Sequence, residues 1–123
     1  MTELIYKDLS YRIIGSAREV HKNLGYGFLE KVYENALMLE LSDNNLSGKN
    51  QEAIKVIYKG KIVGEYIADI LVEDKVIVEV KSIEKIIDIH KAQTINYLKS
   101  TGLKLGIIMN FGKTSLEYYR IIL

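Results

Sequence analysis

The chain has 123 residues, 48% of them hydrophobic and 27% charged, with a net charge of +1. That apolar content on a chain of this length suits one folded core, so residues 1–123 are read as a single domain, and general disorder is excluded. The absence of cysteine and the presence of only two histidines, His21 and His90, exclude a disulfide scaffold, a cysteine nucleophile, a cysteine-ligated zinc or iron–sulfur site and a three-histidine metal centre.

The opening Met1-Thr2-Glu3-Leu4-Ile5 lacks a basic segment and a long apolar run, and no stretch approaches the length of a membrane span. A soluble cytoplasmic protein with no membrane partner is expected. Residues 1–80 carry 10 Lys/Arg against 13 Asp/Glu, whereas residues 81–123 carry 7 against 3. This asymmetry is small enough for an ordinary mixed surface and does not mark a strongly basic nucleic-acid groove.

Taken in chain order, residues 3–24 repeat apolar groups at Ile5, Leu9, Ile13, Ala17, Val20 and Leu24, the spacing of an amphipathic helix. Gly25 and Gly27 interrupt it as a cap and a turn. A second helix is expected from about Phe28 to Asp43, with Leu29, Val32, Tyr33, Ala36, Leu37 and Leu41 on its apolar side. The period then becomes two. Strands are expected over Glu52 to Tyr58, Ile62 to Val72 and Val76 to Lys81, with Lys59-Gly60 as a hairpin turn and Glu73-Asp74-Lys75 as a three-residue loop. A third helix runs from an Asp88 N-cap to Ser100 and is closed by Gly102. The apolar run Leu105 to Phe111 reads as a strand buried on both faces, and Leu116 to Leu123 as an edge strand. The order ααβββαβ(β) implies an α/β fold, a mixed sheet flanked by helices.

Three ionisable residues interrupt strands that are otherwise apolar: Asp69, Glu79 and Lys81. Glu79 and Lys81, two apart, share a strand face. A three-residue loop at 73–75 pairs Val72 with Val76, and the same register sets Asp69 across from Glu79. Directly opposed Cβ atoms lie about 4.5–5.5 Å apart. Two carboxylates that close take up a proton or a cation, and Mg²⁺ is commonly held by one or two carboxylates plus water and phosphate oxygens. Lys81, one pleat on, could orient a water or stabilise charge on a phosphate. A solvated sheet face with a salt bridge from Lys81 to either carboxylate fits the same residues. A bulge would break the alignment.

Asp69 followed by Glu79-Val80-Lys81 resembles the D…(D/E)-x-K core of the PD-(D/E)XK nuclease superfamily, with Ala68 in place of the proline. The expected helix–three strands–helix–strand order resembles that superfamily's core as well. Gly27-Phe28-Leu29-Glu30-Lys31-Val32-Tyr33 is similar to the G-x-x-E-x-x-Y signature of the GxxExxY branch, and Gln93-Thr94-Ile95-Asn96-Tyr97 to the Q-x-x-x-Y motif of the RecB-like exonuclease branch. The closing Leu103–Gly112 segment resembles the family's end, so the likeness runs from about Ala17 to Leu123. The cysteines of the iron–sulfur members are missing.

The resemblance implies a restriction endonuclease-like fold and a Mg²⁺- or Mn²⁺-dependent nuclease, a hydrolase acting on nucleic acid with DNA favoured. It implies that Asp69 and Glu79 hold the metal with Glu30 as an added carboxylate, that Lys81 serves the attacking water or the phosphate, and that Gln93 and Tyr97 face the site. Tyr33 reads equally as core or as site. Glu34 lies outside the signature and reads as solvated, as does His90, although His90 shares a helix face with Gln93 and Tyr97. The alternative is a non-catalytic nucleic-acid-binding or accessory module on the same fold. A chain this short has little room to enclose a duplex, so a homodimer or a larger protein partner is expected.

Overall fold

In a computed structural model that describes residues 5–123, the order is α1 (Lys7–Leu24), α2 (Glu30–Asp43), β1 (Gly48–Tyr58), β2 (Lys61–Val72), β3 (Val76–Lys81), α3 (Asp88–Thr101), β4 (Leu105–Asn110) and β5 (Glu117–Ile122). The five strands form one sheet in the order β1-β2-β3-β4-β5. Every neighbouring pair is antiparallel except β3 and β4, which α3 connects in parallel. No helix among the described residues is long and apolar enough to cross a membrane.

The helical spacing of α1 and α2 places Ile13, Ala17, Tyr33 and Leu37 in one core with Val78, Val80, Ile107 and Met109. On the opposite sheet face α3 sets Tyr97 and Leu98 against Ile77 and Ile108. All six residues of β4 are buried, as expected of a strand covered on both sides. Lys59 and Gly60, both at positive φ, make the two-residue turn that pairs Tyr58 with Lys61.

Several boundaries differ from the sequence reading. The first helix starts at Lys7 rather than near residue 3, after a left-handed Tyr6; residues 1–4, all but Ile5 of the opening segment read above, lie outside the described residues. Phe28 and Leu29 stay in the loop ahead of α2. The first strand begins four residues earlier than expected because Gly48, Lys49 and Asn50 pair with Val72, Leu71 and Ile70. The partner strand extends this segment, and its own polar residues give no sign of it. At α3, Ile87 occupies the cap position instead of Asp88, and the Nδ1 of His90 accepts the Ile87 N–H at 3.0 Å. His90 is therefore half-buried at a helix start, where its ring replaces a missing backbone partner.

One irregularity positions the site. Ala68 belongs to the core beneath α3, whereas Ile70 and Val72 belong to the core beneath α1 and α2. Period two would put all three on one face. The alternation breaks at Asp69, opposite Gln51 of β1, which adopts φ 56. Ladder pairs flank this point at Glu52↔Ala68 and Asn50↔Ile70.

Candidate active site

The loop at 73–75 has the expected length, and β2 pairs β3 in register through Val72↔Val76, Leu71↔Ile77 and Ile70↔Val78. Beyond Ile70 the ladder gives way to a reciprocal exchange. The Asp69 N–H donates to Glu79 Oε2 at 3.0 Å, and the Val80 N–H donates to Asp69 Oδ2 at 2.8 Å. Each carboxylate thus satisfies a backbone donor that regular pairing would have used. Strand separation at this point is filled by side chains, which fixes both carboxylates where β2 departs from β3.

Burial shapes their chemistry. Glu79 is only 5% exposed. Burial first, and then the Asp69 charge, push its carboxyl up to about 8. The Asp69 carboxyl is raised too, by burial and by the charges of Glu34 and Glu30, against the opposing Val80 N–H and Lys81. Lys81 lies on the Glu79 face of β3, half-buried, and its charge favours ionisation of both acids. Among the described residues it makes no ion pair, so the simple salt bridge allowed by the sequence is not formed. Its backbone is fixed by pairing with Asn110 and by a 2.8 Å bond from the Phe111 N–H to its carbonyl.

The segment after Lys81 is tied down by a residue the sequence reading passed over. Asn110, fully buried, accepts the N–H groups of Ile83 and Gly112 and donates to the Ile83 carbonyl and to Glu117. Its place at the end of an apolar strand was the available signal.

Helix α2 brings two acids to the same corner. Glu30 is exposed, and its Oε2 accepts the Ser82 N–H at 3.4 Å. Glu34, expected in solvent, is instead buried at 4% exposure and held by Lys31 and Gln51, each at 2.9 Å, with Asn50 at 3.5 Å. Gln51 is the residue at the break in β1, so the same irregularity sets Glu34 near Asp69. Nothing local to α2 announces this. Tyr33 is core: its hydroxyl donates to the Gly25 carbonyl at 2.6 Å and accepts the Phe28 N–H at 3.2 Å, and its ring stacks 4.6 Å from Phe111.

From α3, Tyr97 points into the same region. Its hydroxyl is pushed up to about 12, by burial and then by the Glu79 and Asp69 charges, so at neutral pH it is a proton-bearing donor. Gln93, one turn earlier, is exposed.

The donor set can be weighed against a divalent ion. Among the described residues no three His, Asp or Glu side chains are grouped to hold a metal, and Glu30 does not complete such a cluster. Asp69 and Glu79 each commit one oxygen to a backbone N–H. No side-chain polar atom among the described residues is both shut off from solvent and unpartnered, so their second oxygens are bonded or reach water. Two hard carboxylates that repel each other when both are ionised suit an ion such as Mg²⁺, which keeps several waters, better than a closed protein cage.

Comparison with known proteins agrees with this architecture. No curated protein matches the sequence. The crystal structure of SSO0001 superposes with a TM-score of 0.59 at 18% identity, covering 95% of this chain and 57% of that one, which is a likeness of fold. The chain thus spans little more than half of that protein's length. A family model described as the PD-(D/E)XK nuclease superfamily matches residues 7–121, nearly the whole chain, and the α/β core with its ααβββαββ order is consistent with that fold. The chain belongs to the PD-(D/E)XK nuclease superfamily.

Proposed function

We propose that this chain is a metal-dependent nuclease of the GxxExxY branch, hydrolysing phosphodiester bonds in nucleic acid, with DNA the favoured substrate. The observation that carries this reading is the reciprocal locking of Asp69 and Glu79 by each other's strand, with Lys81 one pleat further along the same face. Asp69 and Glu79 would hold the divalent ion, Mg²⁺ or Mn²⁺, with Glu30 adding nearby negative charge without being grouped with them as a third ligand. When bound, such an ion supplies Lewis-acid polarisation of the phosphate and lowers the pKa of water.

The remaining chemistry belongs to the chain. Lys81 presents an ammonium to the phosphate as negative charge builds, or holds the attacking water, and its fixed backbone removes the cost of orienting it during reaction. The Tyr97 hydroxyl donates a hydrogen bond to a water or a phosphate oxygen, with the Gln93 amide as a second donor one turn away. Glu34, itself locked, adds negative potential that raises the demand of the Asp69–Glu79 pair for a cation.

The deciding experiment is cleavage of labelled single-stranded and duplex DNA and RNA with Mg²⁺, Mn²⁺ or EDTA, in wild type and in Asp69→Asn and Lys81→Ala. Wild type should cut only with metal, and each variant should lose about 10²–10³-fold in rate, the scale of removing one preorganised charge or donor. Cleavage that survives both substitutions would rule the mechanism out. Salt-sensitive binding without metal-dependent cutting would support the non-catalytic binding module instead. Light scattering on the same samples distinguishes a monomer from a homodimer.

A further inference from the structure

A cavity of about 640 Å³ near Arg12, Arg18 and Tyr118 shares no residue with the carboxylate site. A second, of about 480 Å³, includes Tyr97 in its lining. This groove lies between the β1–β2 hairpin and α3, with Val56 and Tyr66 on one side and Asn96, Tyr97 and Lys99 on the other. It falls within the ~300–1,000 Å³ range typical of small-ligand sites. Tyr97 joins it to the reacting centre, because the same side chain lines the groove and packs in one buried cluster with Ala68, next to Asp69, and Ile77, two residues before Glu79.

The walls have a particular chemistry. The rings of Tyr66 and Tyr97 are 5.5 Å apart and tilted by 48°. Tyr97 is buried, whereas Tyr66 is 48% exposed. Tyr66 therefore offers an aromatic surface whose orientation is supported by a buried neighbour. Lys99 supplies an exposed positive charge, and Asn96 an exposed amide with both a donor and an acceptor. An aromatic plate, a cation and an amide within one groove match the three parts of a nucleotide: base face, phosphate and base edge. Base faces inside a duplex are covered by their neighbours, so a plate of this kind can take only an unpaired base. An apolar protein segment would use Tyr66, Val56 and Ile57 but would leave Lys99 and Asn96 without a role.

We propose that this groove binds an unpaired nucleic-acid strand beside the reacting phosphate, with a base stacked on Tyr66, and that the protein consequently prefers single-stranded over duplex substrate. The inference rests on the nuclease reading for its orientation, but it can be tested separately.

The chain contains no tryptophan, so Tyr66→Trp introduces a single fluorescent indole at the plate. The full chain carrying Tyr66→Trp is titrated with a short oligothymidylate in EDTA, which prevents metal-dependent cutting, and with a blunt DNA duplex of equal length. Saturable quenching by the single strand, with much weaker quenching by the duplex, is expected. Tyr66→Ala should weaken single-strand binding about 5- to 150-fold, the range for losing one base–aromatic stack, while Tyr66→Phe keeps it. Absent quenching, equal quenching by duplex, or unchanged affinity in a folded Tyr66→Ala would overturn the proposal. Wild-type cleavage is measured alongside. Quenching without cleavage removes the nuclease reading and keeps the groove, whereas cleavage without quenching does the reverse.

Discussion

Burial and the neighbouring Asp69 charge push the Glu79 carboxyl from an ordinary 4.5 up to about 8, so the metal-free protein carries it protonated at neutral pH. The folded chain then binds more protons than the unfolded chain between those two values. The stabilisation is fully present below about 4.5 and is lost as pH rises through about 8. Asp69, raised chiefly by burial, acts in the same direction. In EDTA the melting temperature should therefore fall between about pH 5 and about pH 8.5, and Glu79→Gln should flatten that fall. Added Mg²⁺ should flatten it as well, because a bound cation replaces the proton. A pH slope unchanged in Glu79→Gln would show that another group titrates. The nearness of these two acids was legible in the sequence because the loop length fixes the β2–β3 register, whereas the break in alternation at Asp69 that turns each carboxylate onto the partner backbone was not. Nor was Glu34. Its burial depends on Asn50 and Gln51, 16 and 17 residues away, while its local pattern is that of any solvated helical acid.

Close backbone approach at the β4–β5 turn makes that element the most sensitive support of the Lys81 strand. A Cβ on Gly112 would lie 2.3 Å from the Ile83 carbonyl oxygen and 2.5 Å from the Ile83 nitrogen, both backbone atoms that cannot swing aside. Asn110 binds those same Ile83 groups, so relief of the clash must move the segment that follows Lys81. Gly112→Ala should cost at least about 1–3 kcal/mol, the usual range for overpacking, measured by urea unfolding. It should also reduce any metal-dependent cleavage more than Gly15→Ala does, since a Cβ on Gly15 meets nothing within 4 Å. Equal stability and activity in the two variants would show that this contact does not support Lys81. Elements with a local cause were readable: Lys59-Gly60 forms a turn because Gly60 takes positive φ without a Cβ penalty, and Gly102, at φ 78, closes α3. The early start of β1 and the histidine cap on α3 were hidden, since one depends on a partner strand and the other on a ring that can also serve as a site residue.

Charge is distributed across the whole molecule in a way the linear sequence conceals. The acidic first 80 residues and the basic remainder meet in one sheet, with β3 and β4 side by side. The two segments also meet at the candidate site, where Lys81 acts on the carboxyls of Asp69 and Glu79. Around the candidate site, Glu30, Glu34, Asp69 and Glu79 stand against Lys81, with Lys99 along the groove. On the nuclease reading, an unpaired strand lying along this path meets about 2–3 phosphate-neutralising contacts, for which log affinity against log salt should slope at about −1.5 to −2. Raising salt from about 50 to about 200 mM should then weaken oligothymidylate binding roughly 10-fold. A broad basic surface making 6–10 contacts loses about 10³–10⁵ over the same range. Fluorescence anisotropy in EDTA measures the slope directly. A value steeper than about −4 would require more cations than Lys81 and Lys99, supplied by other basic residues of the chain, a second copy or a partner protein. A slope near −2 would leave the single chain sufficient, with stacking at Tyr66 contributing the part of the affinity that salt does not change.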